Sequence, residues 1–446
     1  MKREHIIKLI IGILLCFLSI YIFRPGSYNN DTWGQYIHST IGWYDDWWGP
    51  GLVALFKLMT FLTGKYYSVY LLQMAWYWVL LTCLSWNLPL RSFHYWAIAA
   101  IGMFFNFMPQ YIMRDGLMVL SLGSAALIIL RADFTKRRGL KISLVALFCL
   151  YAMILRPNAL AAYVPFLLGV VYALKYRRTM LLPLSYAIGL TVLLFAAYNL
   201  TIYKVFQVNR VYPDYKLKLL DLVGISKLSG HNYLPACLKD SPSFSYQKLA
   251  EKYTPATMDD LYWDAESPVP APDSTRNAAT TESWKIAVKK EPILYLKNRG
   301  EGFLYYLRIK KRFTNEQYWN TNIEIDPNNP LNVQLKPHAA RDFFSGIYDA
   351  IGKYTFFFAP WFWLLLNTAI FIFTIRRYQV TGAYHLKILA CIQFSGIVFM
   401  LSQFPIYQHD RYFRYNYWTV FVVILSLGVW NDIRMKDTEH HQPADR

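Results

Sequence analysis

The sequence predicts an all-α integral membrane protein of about ten transmembrane helices, with an interfacial helix in its first external loop and a mostly helical external domain. Three observations lead there. Nearly uncharged apolar runs of roughly 17–25 residues, the length that crosses a bilayer, recur along the chain. Of the 446 residues, 55% are hydrophobic and 18% aromatic. The net charge of +18 lies largely in short Lys/Arg clusters beside the apolar runs. Retention of positive charge in the cytoplasm explains that placement, so the basic surplus does not point to nucleic acid.

The basic start "MKRE" sets the N-terminus inside, and the first span, residues 6–23, delivers Arg24 to the external side. No small-residue cleavage site follows, so this segment reads as a retained span and not a removed signal peptide. Cytoplasmic signals then recur at "RADFTKRRGLK" (Arg131–Lys141), "KYRR" (Lys175–Arg178), "RRYQVTGAYHLK" (Arg376–Lys387) and the tail after Asn431. They anchor spans near 66–88, 93–110, 115–131, 140–156, 159–175, 180–200, 350–374, 384–402 and 415–431. The threading works only if Gly51–Gly64 stays outside. Fourteen helical residues rise roughly 21 Å, short of a hydrocarbon core of about 30 Å. Lys57 in the middle suits a helix lying in the interface.

The expected organisation is a transmembrane module over 1–200 with a first external loop at 24–65, an external domain over 201–348, transmembrane helices over 349–431 and a cytoplasmic tail over 432–446. Both termini are cytoplasmic in this arrangement. Four of the five cysteines lie in apolar segments, and Cys237 is alone in the long polar region, so no disulfide framework is implied.

Charge gathered on one side of a membrane protein marks a functional site, and four external clusters qualify. The first is Asp31. A helix capped by Asn30 puts Asp31, Gln35 and His38 on one face and Trp33, Ile37, Ile41 and Tyr44 on another. The helix dipole alone also accounts for an aspartate in a first turn. The second is Asp45-Asp46 before Trp47, which offers carboxylates to a sugar or a divalent cation. A solvated turn explains the pair more simply, because adjacent residues point apart. The third joins Arg114-Asp115, at the mouth of one span, to Arg156 and Asn158 at the end of another. Pro157 breaks the helix there and leaves a guanidinium placed for a phosphate. The fourth is "HDRYFRYNYW", where Arg411 and Arg414 alternate with tyrosines, a pattern that also serves headgroup anchoring. No phosphate-cradling glycine loop, zinc-ligand spacing, nucleophile elbow or dinucleotide fingerprint is present.

These stretches resemble bacterial membrane glycosyltransferases of the GT-C class. The family's "DWHPPLMALLW"-like passage reads "YDDWWGPGLVALFKLM" here, with Trp48-Gly49-Pro50 in place of His-Pro-Pro. A K-D-like dipeptide opens a later span ("RDGLMVLSLGSAALIIL"), an R-x-N element follows ("LRPNALAAYVPFLL"), and R-Y precedes the last span ("RYNYW"). The segments "LLDLVGISKLSGHNYLP" and "SWKIAVKKEPILYLKNR" are similar in kind to the external domains of such proteins.

The resemblance implies a GT-C-like fold in the bacterial inner membrane and a sugar donor carried on polyprenyl phosphate or diphosphate. It implies a cell-envelope glycan or lipid as acceptor and an active site on the external face. Carried over by position, Asp31 is the candidate base at the acceptor and Asp115 the second catalytic acid. The chemistry of the transfer, not the resemblance, suggests Arg114, Arg156, Asn158, Arg411 and Arg414 for the donor phosphate and Gln35, His38, Asp45, Asp46 and Trp47 for contact with substrate. The residues leave metal use undecided. A glycan polymerase fits the same features, and a flippase or transporter of lipid-linked glycans is the rival from another class. Against a transporter, the charges lie at external ends and the two halves look dissimilar.

Overall fold

The structure is a computed structural model that describes residues 3–86, 93–131, 134, 136–174, 181–239, 244–262, 269–312, 325, 329–406 and 412–440, without the side chains of 93–98, 158 and 430–440. Every regular element among them is helical. α1 (Arg3–Phe23), α2 (Asn30–Ile41), α3 (Pro50–Thr63) and α4 (Ser68–Ser85) come first. α5 (Phe93–Phe104), the short α6 (Phe107–Gln110), α7 (Arg114–Arg131), α8 (Arg138–Leu155), α9 (Leu160–Ala173) and α10 (Leu181–Leu200) follow. Next are α11 (Pro213–Ser229), α12 (Ala236–Lys239), α13 (Tyr246–Lys252), α14 (Asp259–Tyr262), α15 (Ser274–Lys290) and α16 (Pro292–Tyr306). The chain closes with α17 (Ala339–Tyr354), α18 (Pro360–Thr381), α19 (Tyr384–Leu401), α20 (Gln403–Ile406) and α21 (Tyr417–His440).

Five helical segments among the described residues are long and apolar enough to cross a membrane: Arg3–Phe23, Ser68–Ser85, Arg138–Leu155, Leu181–Val205 and Tyr384–Ile406. They coincide with five of the ten expected spans. The segments at α9 and Phe413–Val429 are apolar but shorter. The expected span over 350–374 is interrupted. α17 ends at Tyr354 with Thr355 extended, and Pro360 opens α18 at its first turn, where its fixed φ favours helix initiation. The apolar segment is therefore Pro360–Thr381, and residues 339–354 form a separate amphipathic helix.

Packing of α9 on α19, α7 on α8, α18 on α19 and α1 on α4 builds one continuous apolar core. A second cluster, centred on Tyr215, Leu219, Leu222 and Leu261, draws on residues from Tyr212 to Tyr295. Inside it, buried Asp221 accepts hydrogen bonds from Trp284 Nε1 (2.8 Å) and Arg299 Nη2 (2.6 Å). Phe303, Tyr306 and Leu307, and α17 with Tyr348, belong to the first core. The self-contained apolar cluster thus occupies only part of the expected 201–348 region.

The opening helices are set by their caps. Asn29 accepts a hydrogen bond from the Thr32 amide at 3.1 Å and caps α2. The cap is one residue earlier than the expected Asn30, because Asn30 already has helical geometry. Gly42, at φ 70°, ends α2 in the left-handed conformation that favours glycine. Along α2 the buried side carries Trp33 and Tyr36, while Ile37 and Ile41 stay exposed. Stacking decides this: Trp33 meets Tyr28 and Tyr66, and Tyr36 meets Phe56 of α3. α3 runs from Pro50 to Thr63, fourteen residues as expected, and leaves Leu58, Phe61 and Leu62 exposed.

Candidate functional site

Three short turns converge at the start of α2. The first is set by pairing of the 27–28 segment with the strand-like run before α7. Ser27 N donates to Gln110 O (2.8 Å), Ile112 N to Ser27 O (3.4 Å), and Thr32 Oγ1 to Ile112 O (3.0 Å). These bonds tie the first turn of α2, with Asp31, to the entry of α7, with Arg114 and Asp115. The second turn ends α8. The residue before a proline is disfavoured in helical geometry, and Arg156 accordingly leaves the helix at φ −147° ahead of Pro157. The third is the helical turn Phe413–Asn416, fastened by Asn416 Nδ2 on Phe413 O (3.2 Å) and by a hydrogen bond from the Tyr306 hydroxyl to Asn416 Oδ1.

The three turns assemble a chain of alternating charge. Asp31 Oδ2 accepts from Arg414 Nη2 at 3.1 Å. Arg414 Nε stands 3.8 Å from Asp115 Oδ2, and Arg156 Nε donates to Asp115 Oδ1 at 2.6 Å. Tyr415 lies under both guanidinium groups, 4.9 Å from Arg156 and 5.4 Å from Arg414, with Tyr412 4.4 Å from Arg414. Arg414 Nη1 also contacts the Met113 sulfur. Exposure separates the two acids. The Asp115 side chain is 4% exposed and that of Asp31 43%, so Asp31 is the carboxylate at the rim. Burial works against ionisation of Asp31, but Arg414, Arg114 and Arg156 outweigh it and hold the carboxyl below its ordinary range.

Arg114 turns to the loop after α2. Its Nη1 donates to Trp47 O (3.0 Å) and Trp48 O (2.6 Å). That loop is a built turn and not a solvated one. Asp45 is buried and accepts from the amides of Trp47 (3.0 Å) and Trp48 (2.9 Å), while Asp46 accepts from the Val211 amide at 2.7 Å. Burial pushes the Asp46 carboxyl up against the pull of that bond. The two carboxylates therefore point apart, and both are engaged with backbone. Gln35 is buried, with Nε2 donating to Asp31 O at 2.9 Å. His38 engages the loop after α2: its ring meets Trp48 edge-on at 4.7 Å, and Nδ1 stands 3.4 Å from Asp45 Oδ2. Burial outweighs Asp45 and lowers the His38 pKa, so the imidazole is neutral at pH 7.

Gly49 explains the Trp-Gly-Pro departure in local terms. It holds φ 70° and ψ 153°, a conformation closed to proline, and a Cβ there would meet Ile154 O at 3.1 Å. Trp48 packs on Gly34, where an added Cβ would fall 2.2 Å from the indole. Of the sequence-derived candidates, Asp31, Asp115, Arg156 and Arg414 thus meet directly. Arg114, Asp45, Asp46 and Trp47 build the adjoining turn. Arg411 and the Asn158 side chain lie outside the described residues. Reading the sequence missed Met113, and also Lys216 of α11, whose Nζ lies 4.3 Å from the Trp47 ring and 4.9 Å from that of Tyr262. No pattern flags a lone lysine on a polar helix; only the fold lays it on the loop.

Among the described residues, no group of three or more His, Cys, Asp or Glu side chains is arranged to hold a metal ion. Comparison with family models, with curated proteins and with solved structures finds no match.

Proposed function

We propose that the chain is a GT-C-like membrane glycosyltransferase that moves a sugar from a polyprenyl-phosphate carrier to an envelope glycan or lipid on the external face. The observation that carries this reading is the Asp31–Arg414–Asp115–Arg156 chain, in which one carboxylate reaches the rim while the other is buried among arginines. Glycosyl transfer from a phosphate needs both ends of that arrangement. The acceptor hydroxyl loses a proton as it attacks, and the departing phosphate gains negative charge. Asp31, ionised across the physiological range, is placed to orient the hydroxyl and take its proton. Arg414 and Arg156, bridged by Asp115, supply cationic charge for the leaving group. Asp115 acts in this reading as a positioning residue for the two arginines and does not itself touch the acceptor.

Asp31→Asn is isosteric and keeps an acceptor oxygen for Arg414. The variant should insert and fold, yet lose transfer in an assay with lipid-linked sugar and envelope acceptor. Full activity of this variant would sink the assignment. Because its partners depress the Asp31 pKa, transfer should persist as pH falls to the ordinary aspartate value of about 4. It should disappear only below that, as the carboxylate takes up its proton. An acidic limb near neutrality would instead assign the proton transfer to another group.

A further inference from the structure

A cavity of about 110 Å³ that shares no lining residue with this cluster lies where the end of α16, the end of α17 and the start of α18 meet. Arg308, Lys311 and Lys353 line it with Tyr354, Phe358 and Trp361, and no carboxylate is among its lining residues. Arg308 is 6% exposed and holds φ 60°, an uncommon left-handed conformation for a side chain of this size. Its Nη1 donates to Phe358 O at 2.6 Å, which fixes the guanidinium in the wall. α18 begins at the same place with no side-chain cap, so the positive end of a 22-residue helix adds to the three cations.

The surroundings indicate what anion belongs there. Ile309, Tyr354 and Phe356 are 58%, 75% and 66% exposed around the cavity. α18 presents Leu365, Ile372 and Phe373 along its length and carries Arg376 and Arg377 towards its far end. Exposed aromatics beside basic groups at one end of an apolar helix match the headgroup layer of a bilayer. A soluble anion would gain nothing from the apolar rim.

We propose that this cavity binds the anionic phosphate of a membrane lipid, with Arg308, Lys311 and Lys353 as its cationic wall. The site shares no lining residue with the acid–arginine cluster, although Arg308 and Phe358 both pack on Phe413, the neighbour of Arg414; the proposal does not depend on the glycosyltransferase reading. Lys311 and Lys353 are exposed, so their replacement leaves the core intact.

The test is a binding titration of the purified full chain in neutral detergent. The probes are dioctanoyl-phosphatidylglycerol, farnesyl phosphate, dioctanoyl-phosphatidylcholine and inorganic phosphate. One of the first two should bind well above the last two, and Lys311→Gln/Lys353→Gln should weaken it about thirtyfold. Whichever of the two binds more tightly names the source, a bilayer phospholipid or a prenyl carrier. Asp31→Asn should bind like the unaltered chain, which separates failure here from failure of the transfer reaction. Unchanged affinity in the double variant, equal binding of inorganic phosphate, or loss of binding in Asp31→Asn would overturn the proposal.

Discussion

Asp115 and Arg156 carry opposite charges at 5% exposure or less, and their burial determines how substitution will act. Removing one partner strands the other in a poorly solvated place, which typically costs about 3–5 kcal/mol, whereas replacing both with apolar residues is far milder. Asp115→Leu and Arg156→Met should each lower the apparent melting temperature sharply, and the double variant should recover much of the loss. Arg414 beside Asp115 limits that recovery, because it too loses a neighbouring carboxylate. At Gly49 the controlling term is backbone conformation. Gly49→Ala should cost on the order of 1–3 kcal/mol, since φ 70° with ψ 153° is essentially a glycine conformation. The measurement is thermal unfolding in detergent, and an unshifted midpoint would contradict the strain argument.

At the scale of elements, the site depends on where helices start and stop more than on their interiors. Asn29 caps α2 and orients the first turn from which Asp31 projects. Asn29→Ala should reduce stability by about 1 kcal/mol. If the transfer reaction is as proposed, it should lower the turnover rate more than a change of that size elsewhere would. The comparison is with Thr40→Ala, an exposed position on the same helix whose hydroxyl only bonds back to Ile37 O. Helix boundaries were partly legible in the residues: Pro157 as the end of α8, the Gly51–Gly64 length, and the glycine stops. The exact cap of α2 was not, because Asn29 and Asn30 are equally good capping residues and only the tie to Ile112 selects between them. The grouping of Trp33 with Ile37 and Ile41 on one face did not foretell that only Trp33 of the three is buried, for a similar reason. Ring stacking between Trp33, Tyr28 and Tyr66 is contributed by three separate segments.

At the scale of the whole molecule, the loop after α2 touches the segment leading into α11 and the edge of the second apolar cluster through a few contacts. Asn209 N donates to Tyr44 O (2.8 Å), Val211 N to Asp46, and Lys216 rests between Trp47 and Tyr262. Burial lowers the Lys216 pKa to about 8, against the pull of Asp259. A cation depressed on folding destabilises the folded state wherever both forms are protonated, and that cost is relieved as pH rises from about 8 towards the ordinary lysine value near 10.4. The unaltered chain should therefore gain stability over that interval relative to Lys216→Met, measured as melting temperature against pH. Identical slopes in the two proteins would remove Lys216 as the source.

The sequence by itself determined the helical membrane class, the placement of Asp31, Asp115, Arg156 and Arg414 at segment ends, and the short helix after Pro50. Those features follow from local physics: hydropathy over a window, charge asymmetry, and the conformational limits of proline and glycine. Tertiary structure alone decided that Arg414 would stand between Asp31 and Asp115 across nearly four hundred residues of chain. It decided equally that Asp45 and Asp46 would bind backbone, and that three cations would gather where α16, α17 and α18 meet. A side chain's partner depends on which segments pack together, and packing is set by the summed fit of many apolar surfaces. No local pattern encodes that sum.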